Sequence, residues 1–464
     1  MRLGIIDIGY NAIRAVVHEN NTIGAPEIFN NKFKNDILTL LLQEELDIKH
    51  QAYLSINYIL HVFNKLQVTE IKCVATAVLR NHPRSSVFIE FIKQKFNFTI
   101  EVISGEREAY LTAVGLISGI SDVNGIAADL GGGSLELIEI NNRVIGRLSS
   151  LALGTKIITS RKLQNLEDIT RIIREEYGNY QYENLYLIGG ALRFICRFFI
   201  EFNKYPLKNL HNLSISREDL TSYLKNIKES QRNKVKLHSR ILNQNAILVA
   251  QAMLEVFQPQ NIIVSVFGLK EGVRYEMLPE IEKNQDIVLQ KVIHCCKYQL
   301  EETNFEKYHE IVKPLLDESQ DLYKLLKLTI ILQSLNKFFD QTLPPKAVNE
   351  YILNSEIPFT HRHRLMIALI LSYSSNFKPD TDLTRISRKF LCKQDFKNSQ
   401  IIGYFIRIAK DIDGFNFTEP SFTITIKNHY LEIVSKDILP RPIFEKICDR
   451  LKAIAYIRKI SFNQ

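Results

Sequence analysis

The sequence is poor in cysteine, and the few it has are badly spaced for cross-linking. Six occur in 464 residues, at 73, 196, 295, 296, 392 and 448, and no two have the C-x-x-C spacing. That excludes a disulfide scaffold and a cysteine-rich zinc site, and it implies reduced thiols. Long apolar runs are missing too. The richest stretches, Leu365 to Leu371 and Leu185 to Ile200, are short or broken by Arg193 and Arg197, well below the ~18 residues a membrane span needs. Asp7 interrupts the opening apolar run before a signal-peptide core can form, so a cytoplasmic protein is expected. Glycine is scarce as well, 19 in all, which makes any cluster of it informative.

What is present is an ordinary globular composition, 45% hydrophobic and 24% charged, long enough for about three units at roughly 150 residues each. The net charge is +8, with the excess concentrated near the C-terminus. Between His361 and Lys410 there are ten lysines and arginines against three acids, Asp380, Asp382 and Asp395. Such a surplus attracts polyanions or is simply a solvated helical face.

Along the first half, short strands alternate with helical spacing. Leu3 to Ile8 and Ile13 to Val17 form a hairpin around Gly9-Tyr10-Asn11. Ile71 to Ala75 and Ile100 to Ile103 are further strands, and Ser55 to Leu66 and Ser85 to Phe96 have the spacing of amphipathic helices. A helix follows Ser104-Gly105. The opening then recurs: Gly125 to Leu130, the turn Gly131-Gly132-Gly133-Ser134, Leu135 to Ile140, and Val144 to Leu153. Strand–Asp–x–Gly–loop–strand thus occurs at Asp7 and again at Asp129, 122 residues later. Two copies mean a duplicated domain and not a solenoid. Leu185 to Ile188 and Asn261 to Val266 end in glycines as further buried strands. Beyond about residue 284 helical periodicity dominates, at Ile311 to Leu315, Leu322 to Phe339 and Arg364 to Tyr373, with a β-like stretch from Phe422 to Val434.

The chemistry concentrates in DLGGGSLE, Asp129 to Glu136. Consecutive glycines let backbone approach a ligand closely or take positive φ, and successive N–H groups in such a turn can cradle phosphate oxygens. Asp129 and Glu136 flank the loop. Oxygen donors of this kind suit Mg²⁺, commonly held by one or two carboxylates plus substrate phosphates. Asp7, at the equivalent strand end of the first copy, faces the same cleft if the halves pack about a pseudo-twofold.

DIGYNAIR (Asp7 to Arg14), ATAVLR (Ala75 to Arg80), ISGEREA (Ile103 to Ala109), DLGGGSLE and LIGGALR (Leu187 to Arg193) occur in this order, followed by GLKEG at Gly268 to Gly272. Together they resemble the exopolyphosphatase/guanosine pentaphosphate phosphohydrolase (Ppx/GppA) family. The resemblance implies an α/β fold of two ribonuclease-H-like domains of the actin/Hsp70/sugar-kinase superfamily, residues 1–118 and 119–284. A mostly helical, HD-like C-terminal domain follows, 285–464. It implies Glu108 as the general base on a water attacking a terminal phosphoryl group. Asp129 and Glu136 match the magnesium-linked acids, Gly131, Gly132, Gly133 and Ser134 the phosphate loop, and Arg80 a phosphate-binding arginine. Gly9, Asn11, Gly189 and Gly190 complete the candidate phosphate-binding set, and Asp7 the candidate metal set.

Three departures stand out. Tyr10 occupies a place where such sequences usually carry Ser or Thr, Ala12 one where another Ser is common, and Leu135 a usual Thr. They leave the base and the acids intact and thin the hydroxyl donors. No His-Asp dipeptide occurs, so the helical tail is assigned no metal site. The expected activity is release of terminal orthophosphate from inorganic polyphosphate with Mg²⁺. The alternatives are the same reaction on guanosine pentaphosphate, a phosphotransferase or chaperone-like ATPase on the same fold, or a non-catalytic polyanion-binding regulator. The resemblance also implies a homodimer; neither a membrane nor a specific nucleic acid is an expected partner. The basic segment after His361 would line a channel for a long phosphate chain.

Overall fold

The computed structural model describes residues 1–34, 36–163, 165–227, 243–296, 319–333, 335, 346–375, 378–413, 422–427, 430–435, 441–452 and 459–463. The chain divides into two compact units, Met1–Ile287 and Val288–Gln464.

The first unit contains one sheet design twice. β1 (Arg2–Ile8), β2 (Ala12–His18) and β3 (Glu27–Lys34) form an antiparallel meander. β4 (Val68–Ala75) and β5 (Glu101–Val102) then add in parallel on the far side of β1. The order is β3-β2-β1-β4-β5. β6 (Gly125–Leu130), β7 (Leu135–Asn141) and β8 (Val144–Leu151) repeat the meander. β9 (Asn184–Ile188), a short β10 (Ser214–Ser216) and β11 (Asn261–Val264) complete the sheet β10-β11-β9-β6-β7-β8. β9 and β11 run parallel to β6, and β10 is an antiparallel addition at the edge. The duplication legible at Asp7 and Asp129 is therefore a duplication of the whole sheet. β3 escapes sequence reading because an edge strand needs only one apolar face, and its residues are mostly half-buried or exposed.

Both opening hairpins close with the same turn. Gly9 N–H donates to Ala12 O and Gly131 N–H to Ser134 O, each at 3.0 Å. In both, the aspartate stands two residues before the donor glycine.

Two helices tie the lobes together by exchange. Gly105–Gly119 follows β5 of the first sheet but packs Ala109, Ala113 and Leu116 against Ala127, Ile138 and Tyr186 of the second. Leu269–Met277 follows β11 of the second sheet but packs Val273 against Leu3, Ile5 and Val74 of the first. They start from good caps: the Ser104 side chain accepts from Arg107 N–H at 3.1 Å, and Glu271 Oε2 accepts from Gly268 N–H at 2.8 Å. Where they cross, only glycine fits. A Cβ on Gly115 would overlap the carbonyl of Gly268, and one on Gly272 the carbonyl of Leu111.

The second unit, taken by itself, is helical around a buried centre, His361–Tyr373. Gln320–Leu332, Lys346–Asn354, Thr381–Phe390 and Lys393–Asp413 accompany it. β12 (Phe422–Lys427) pairs antiparallel with β13 (Tyr430–Ser435), and β14 (Lys459–Asn463) adds in parallel. The expected helical stretch at Ile311 to Leu315 lies outside the described residues.

Here the structure withdraws Arg362 and Arg364 from the basic segment expected to line a channel for a phosphate chain. Arg364 is 0% exposed and donates to Ile352 O at 2.7 Å and Ile357 O at 2.5 Å. Arg362 is forked onto Asp395 (2.8 and 2.5 Å) and reaches Asp321 at 2.7 Å, while His363 Nε2 meets the other Asp321 oxygen at 2.8 Å. Counting charges along a chain cannot distinguish such internal pairing from a free surface. Arg364→Met should lower the unfolding midpoint of this unit, at a cost on the order of 3 kcal/mol, because two buried carbonyls lose their donors. Thermal unfolding checks this, and a shift below one degree would deny Arg364 its structural role.

Candidate active site

The ends of β1, β4, β6 and β9 meet at a cleft of about 150 Å³ inside the first unit. It is lined by both turns, including Gly9, Tyr10 and Gly131 to Ser134, by Gly189 and Gly190, and by the carboxylates of Asp7, Glu108, Asp129 and Glu271. The sequence-derived residues thus converge from four separate stretches. Glu108, whose placement the expected chemistry depends on, faces the same cleft as both hairpin tips.

Three of the expected residues are not on the cleft wall. Arg80 stands behind Glu108, with Nη1 donating to Glu108 Oε2 at 2.9 Å and to Ile103 O at 3.0 Å. Glu136, 2% exposed, lies opposite Asp129 in the β6–β7 register and accepts from Ser150 Oγ at 2.9 Å. Asn11 is exposed, and its Nδ2 lies 2.8 Å from where a Cβ of Gly132 would be.

The glycines act differently from the sequence expectation. None of Gly131, Gly132 and Gly133 has positive φ. Gly132 and Gly133 are bare because the first lobe presses on them: a Cβ would meet Tyr10 Cβ at 3.0 Å at the former and Ala77 Cβ at 2.7 Å at the latter. Gly131 has room to spare, the nearest atom to its Cβ position lying 3.6 Å away, and its N–H is spent on Ser134 O. The left-handed glycine is Gly189, at φ 76°, with Asp129 Oδ1 2.5 Å from its Cβ position. Tyr10, the departure from Ser or Thr, uses the bare loop as a seat. Its ring packs over Gly132 and Gly133, and the Lys156 ammonium lies 4.8 Å from the ring centre.

Burial dominates the electrostatics. It lifts Asp7 to about 6, with Arg14 opposing and Asp129 and Glu271 adding to the rise. It lifts Asp129 against the pull of Arg193 and Arg14. Glu136 rises well above the carboxylate range, through burial first and then the neighbouring Glu108 and Asp129 charges. Glu108 reaches about 7, burial outweighing its hydrogen bond and ion pair with Arg80. Glu271 goes the other way: burial would raise it, but the Lys270 ammonium at 3.0 Å and the Gly268 N–H outweigh that and hold it low. Lys270 is shared with Glu27, also at 3.0 Å.

Sequence reading missed four charged residues of this wall: Arg14, Arg193, Lys270 and Glu271. Arg14 had a signal. It stands seven residues after Asp7, as Glu136 stands seven after Asp129, and both pairs are directly opposite in their hairpins.

A duplicated mixed sheet, exchanged helices and an interlobe cleft flanked by paired Asp-x-Gly turns define the class: an actin-like, two-lobed fold built around a cleft. A family model of the Ppx/GppA phosphatase family matches residues 16–281, and the chain belongs to that family. Among curated proteins it is similar to a bifunctional 3-dehydroquinate synthase/phosphatase of Fusobacterium nucleatum, 25% identical over 56% of this chain and 44% of that one. It is also similar to a guanosine-5'-triphosphate,3'-diphosphate pyrophosphatase of Aliivibrio fischeri, 22% identical over 64% and 63%. The chain thus spans about half to under two thirds of these relatives' lengths. Among solved structures, an exopolyphosphatase from Cytophaga hutchinsonii superposes with TM-score 0.52 at 21% identity, covering 60% of this chain and 97% of that one. An Aquifex aeolicus Ppx/GppA phosphatase gives 0.50 at 20%, covering 60% and 100%. At that identity the superpositions support the fold alone.

Proposed function

We propose that the cleft hydrolyses the terminal phosphoanhydride of a linear phosphate chain, with inorganic polyphosphate as substrate. The observation that carries this is Glu108. It is a carboxylate raised to about 7, oriented by Arg80 and facing the turns of both lobes. A base with that affinity for protons is matched to removing one from water near neutral pH. In the proposed reaction the water oxygen bonds to the terminal phosphorus as its bond to the bridging oxygen breaks. The water proton passes to Glu108 Oε, and orthophosphate leaves a chain shorter by one unit. Backbone N–H groups of Gly132 and Gly133 orient the anionic end, while the Ser134 hydroxyl is engaged with Glu136.

Mg²⁺ fits the donor set. Asp7 and Asp129 bring carboxylates from opposite lobes into one buried wall, each raised by burial. Among the described residues no group of three or more His, Cys, Asp or Glu forms a cage for an ion. Mg²⁺ usually requires none, since one or two carboxylates plus substrate phosphates suffice. Bound there, it would neutralise charge on the phosphate oxygens. Glu136 would support Asp129 from behind.

A cleft of about 150 Å³ is smaller than the roughly 300–1,000 Å³ of pockets that bury drug-sized ligands. It therefore suits a phosphate end and leaves the remainder of the substrate outside. The same fit supports a second reading, guanosine pentaphosphate, favoured by the similarity to the Aliivibrio guanosine-5'-triphosphate,3'-diphosphate pyrophosphatase. The HD-like reading of the C-terminal unit and a homodimeric, cytoplasmic protein are proposed on the family resemblance. Among the described residues no helix is long and apolar enough to cross a membrane. Orthophosphate release from polyphosphate and guanosine pentaphosphate, side by side with and without Mg²⁺, tests the proposal. Faster metal-dependent release from polyphosphate is expected, and release from the nucleotide alone would overturn the substrate.

A further inference from the structure

The second lobe carries an arginine that the proposed mechanism does not use. β4 runs out as Ala75-Thr76-Ala77-Val78-Leu79-Arg80, and β9 as Ile188-Gly189-Gly190-Ala191-Leu192-Arg193. In both, the arginine lies five residues past the strand's last residue. Both reach the loop beyond the next parallel strand: Arg80 Nη1 donates to Ile103 O after β5 at 3.0 Å, and Arg193 Nη1 to Val266 O after β11 at 2.9 Å. The two arginines are counterparts across the pseudo-twofold.

They differ in what else they meet. Arg80 is turned onto Glu108. Arg193 is on the cleft wall, with Nε donating to Gly189 O at 3.2 Å, close to Asp129. A guanidinium fixed by two carbonyls loses little freedom when it takes an anion, and its planar fork suits phosphate. The other charged groups around it are Arg14, Arg197, Asp129 and Glu271. Burial works against its charge, so an incoming phosphate would restore part of what desolvation removes.

We propose that Arg193 binds a non-bridging oxygen of the phosphate chain and positions it from the second lobe, opposite the Arg80–Glu108 pair. The inference rests on the hydrolase reading for its ligand. The competing role is counter-ion to Asp129, where charge alone matters.

The test separates fork from charge. In full-length protein carrying Glu108→Gln, so that ligand is not turned over, inorganic tripolyphosphate binding is measured calorimetrically with Mg²⁺ present. Arg193→Gln should weaken it at least thirtyfold. Arg193→Lys, which keeps the charge but gathers its donors on one nitrogen where Arg193 uses Nε and Nη1 for separate carbonyls, should weaken it at least tenfold. Guanidinium added to Arg193→Ala should recover part of the loss. Binding by Arg193→Lys within twofold of its parent overturns the proposal in favour of the counter-ion role, and decides the matter even if the glutamine variant fails to fold. Failure of the parent to bind tripolyphosphate overturns it as well. Arg193-dependent binding in a wild type that releases no orthophosphate would instead sink the hydrolase reading and leave the contact standing.

Discussion

Glu108→Gln should lower orthophosphate release about a thousandfold, within the range that a positioned general base contributes, while leaving the protein folded. Glutamine keeps the shape and can still face Arg80, but it cannot take the proton. The wild-type pH profile should carry the same signature. Glu108 must be ionised to act and is held at about 7, so kcat/KM should fall as pH drops through 7, tenfold per unit below it. Arg80→Met removes the hydrogen bond and charge that oppose burial, so the acid limb should move to higher pH. Stability responds to pH in the opposite direction to activity. A carboxylate raised in the folded state favours folding below its ordinary value near 4.5, and that contribution disappears as pH rises through about 7. At pH 8 the glutamine variant should therefore unfold no earlier than wild type. Full activity in Glu108→Gln, or an acid limb that ignores Arg80, would remove Glu108 from the mechanism.

The repeat at Asp7 and Asp129 was legible because a buried strand ending at Asp-x-Gly has few alternatives: the apolar run sets the strand and the Asp-x-Gly turn ends it. Asp7 and Asp129 followed from that, whereas Glu108 came only from the family resemblance and Glu271 was missed. What escaped has physical reasons. Arg193 and Lys270 sit in helical first turns where a cation is most often a surface charge, and only the fold turns them inward. The repeated Leu-Arg ending at Leu79-Arg80 and Leu192-Arg193 was the one available clue. The glycine triplet drew attention for its composition, yet its first member is spatially free. The tightest helix crossing falls instead on isolated glycines, Gly115 and Gly272, in helices where glycine is ordinarily a weakness. Arg362 and Arg364 misled for the converse reason: they count as surface charge until burial and partners are known.

Gly272→Ala should therefore have a larger effect than any change within the triplet. Its new Cβ would overlap the Leu111 carbonyl of the facing helix. That atom is backbone in mid-helix, with no rotamer to change, so the helices must move apart. Overpacking of this kind costs typically 1–3 kcal/mol, and about 3 kcal/mol is expected where backbone must yield. The exchanged helices make the damage functional as well as structural. Glu108 lies on one of them and Glu271 on the other, and each is anchored to the opposite lobe's sheet. Separating the helices thus displaces the base and the Lys270–Glu271 pair relative to both turns. A misplacement near 1 Å can cost about a hundredfold in rate. Activity should fall by that order while the first unit's unfolding midpoint drops by several degrees. Gly131→Ala is the matched control: its methyl would come no closer than 3.6 Å to Ser134 O, and its stability should stay within about 0.5 kcal/mol of wild type. Were the two alanine variants equally stable and equally active, the glycine crossing would not be what holds the lobes in register.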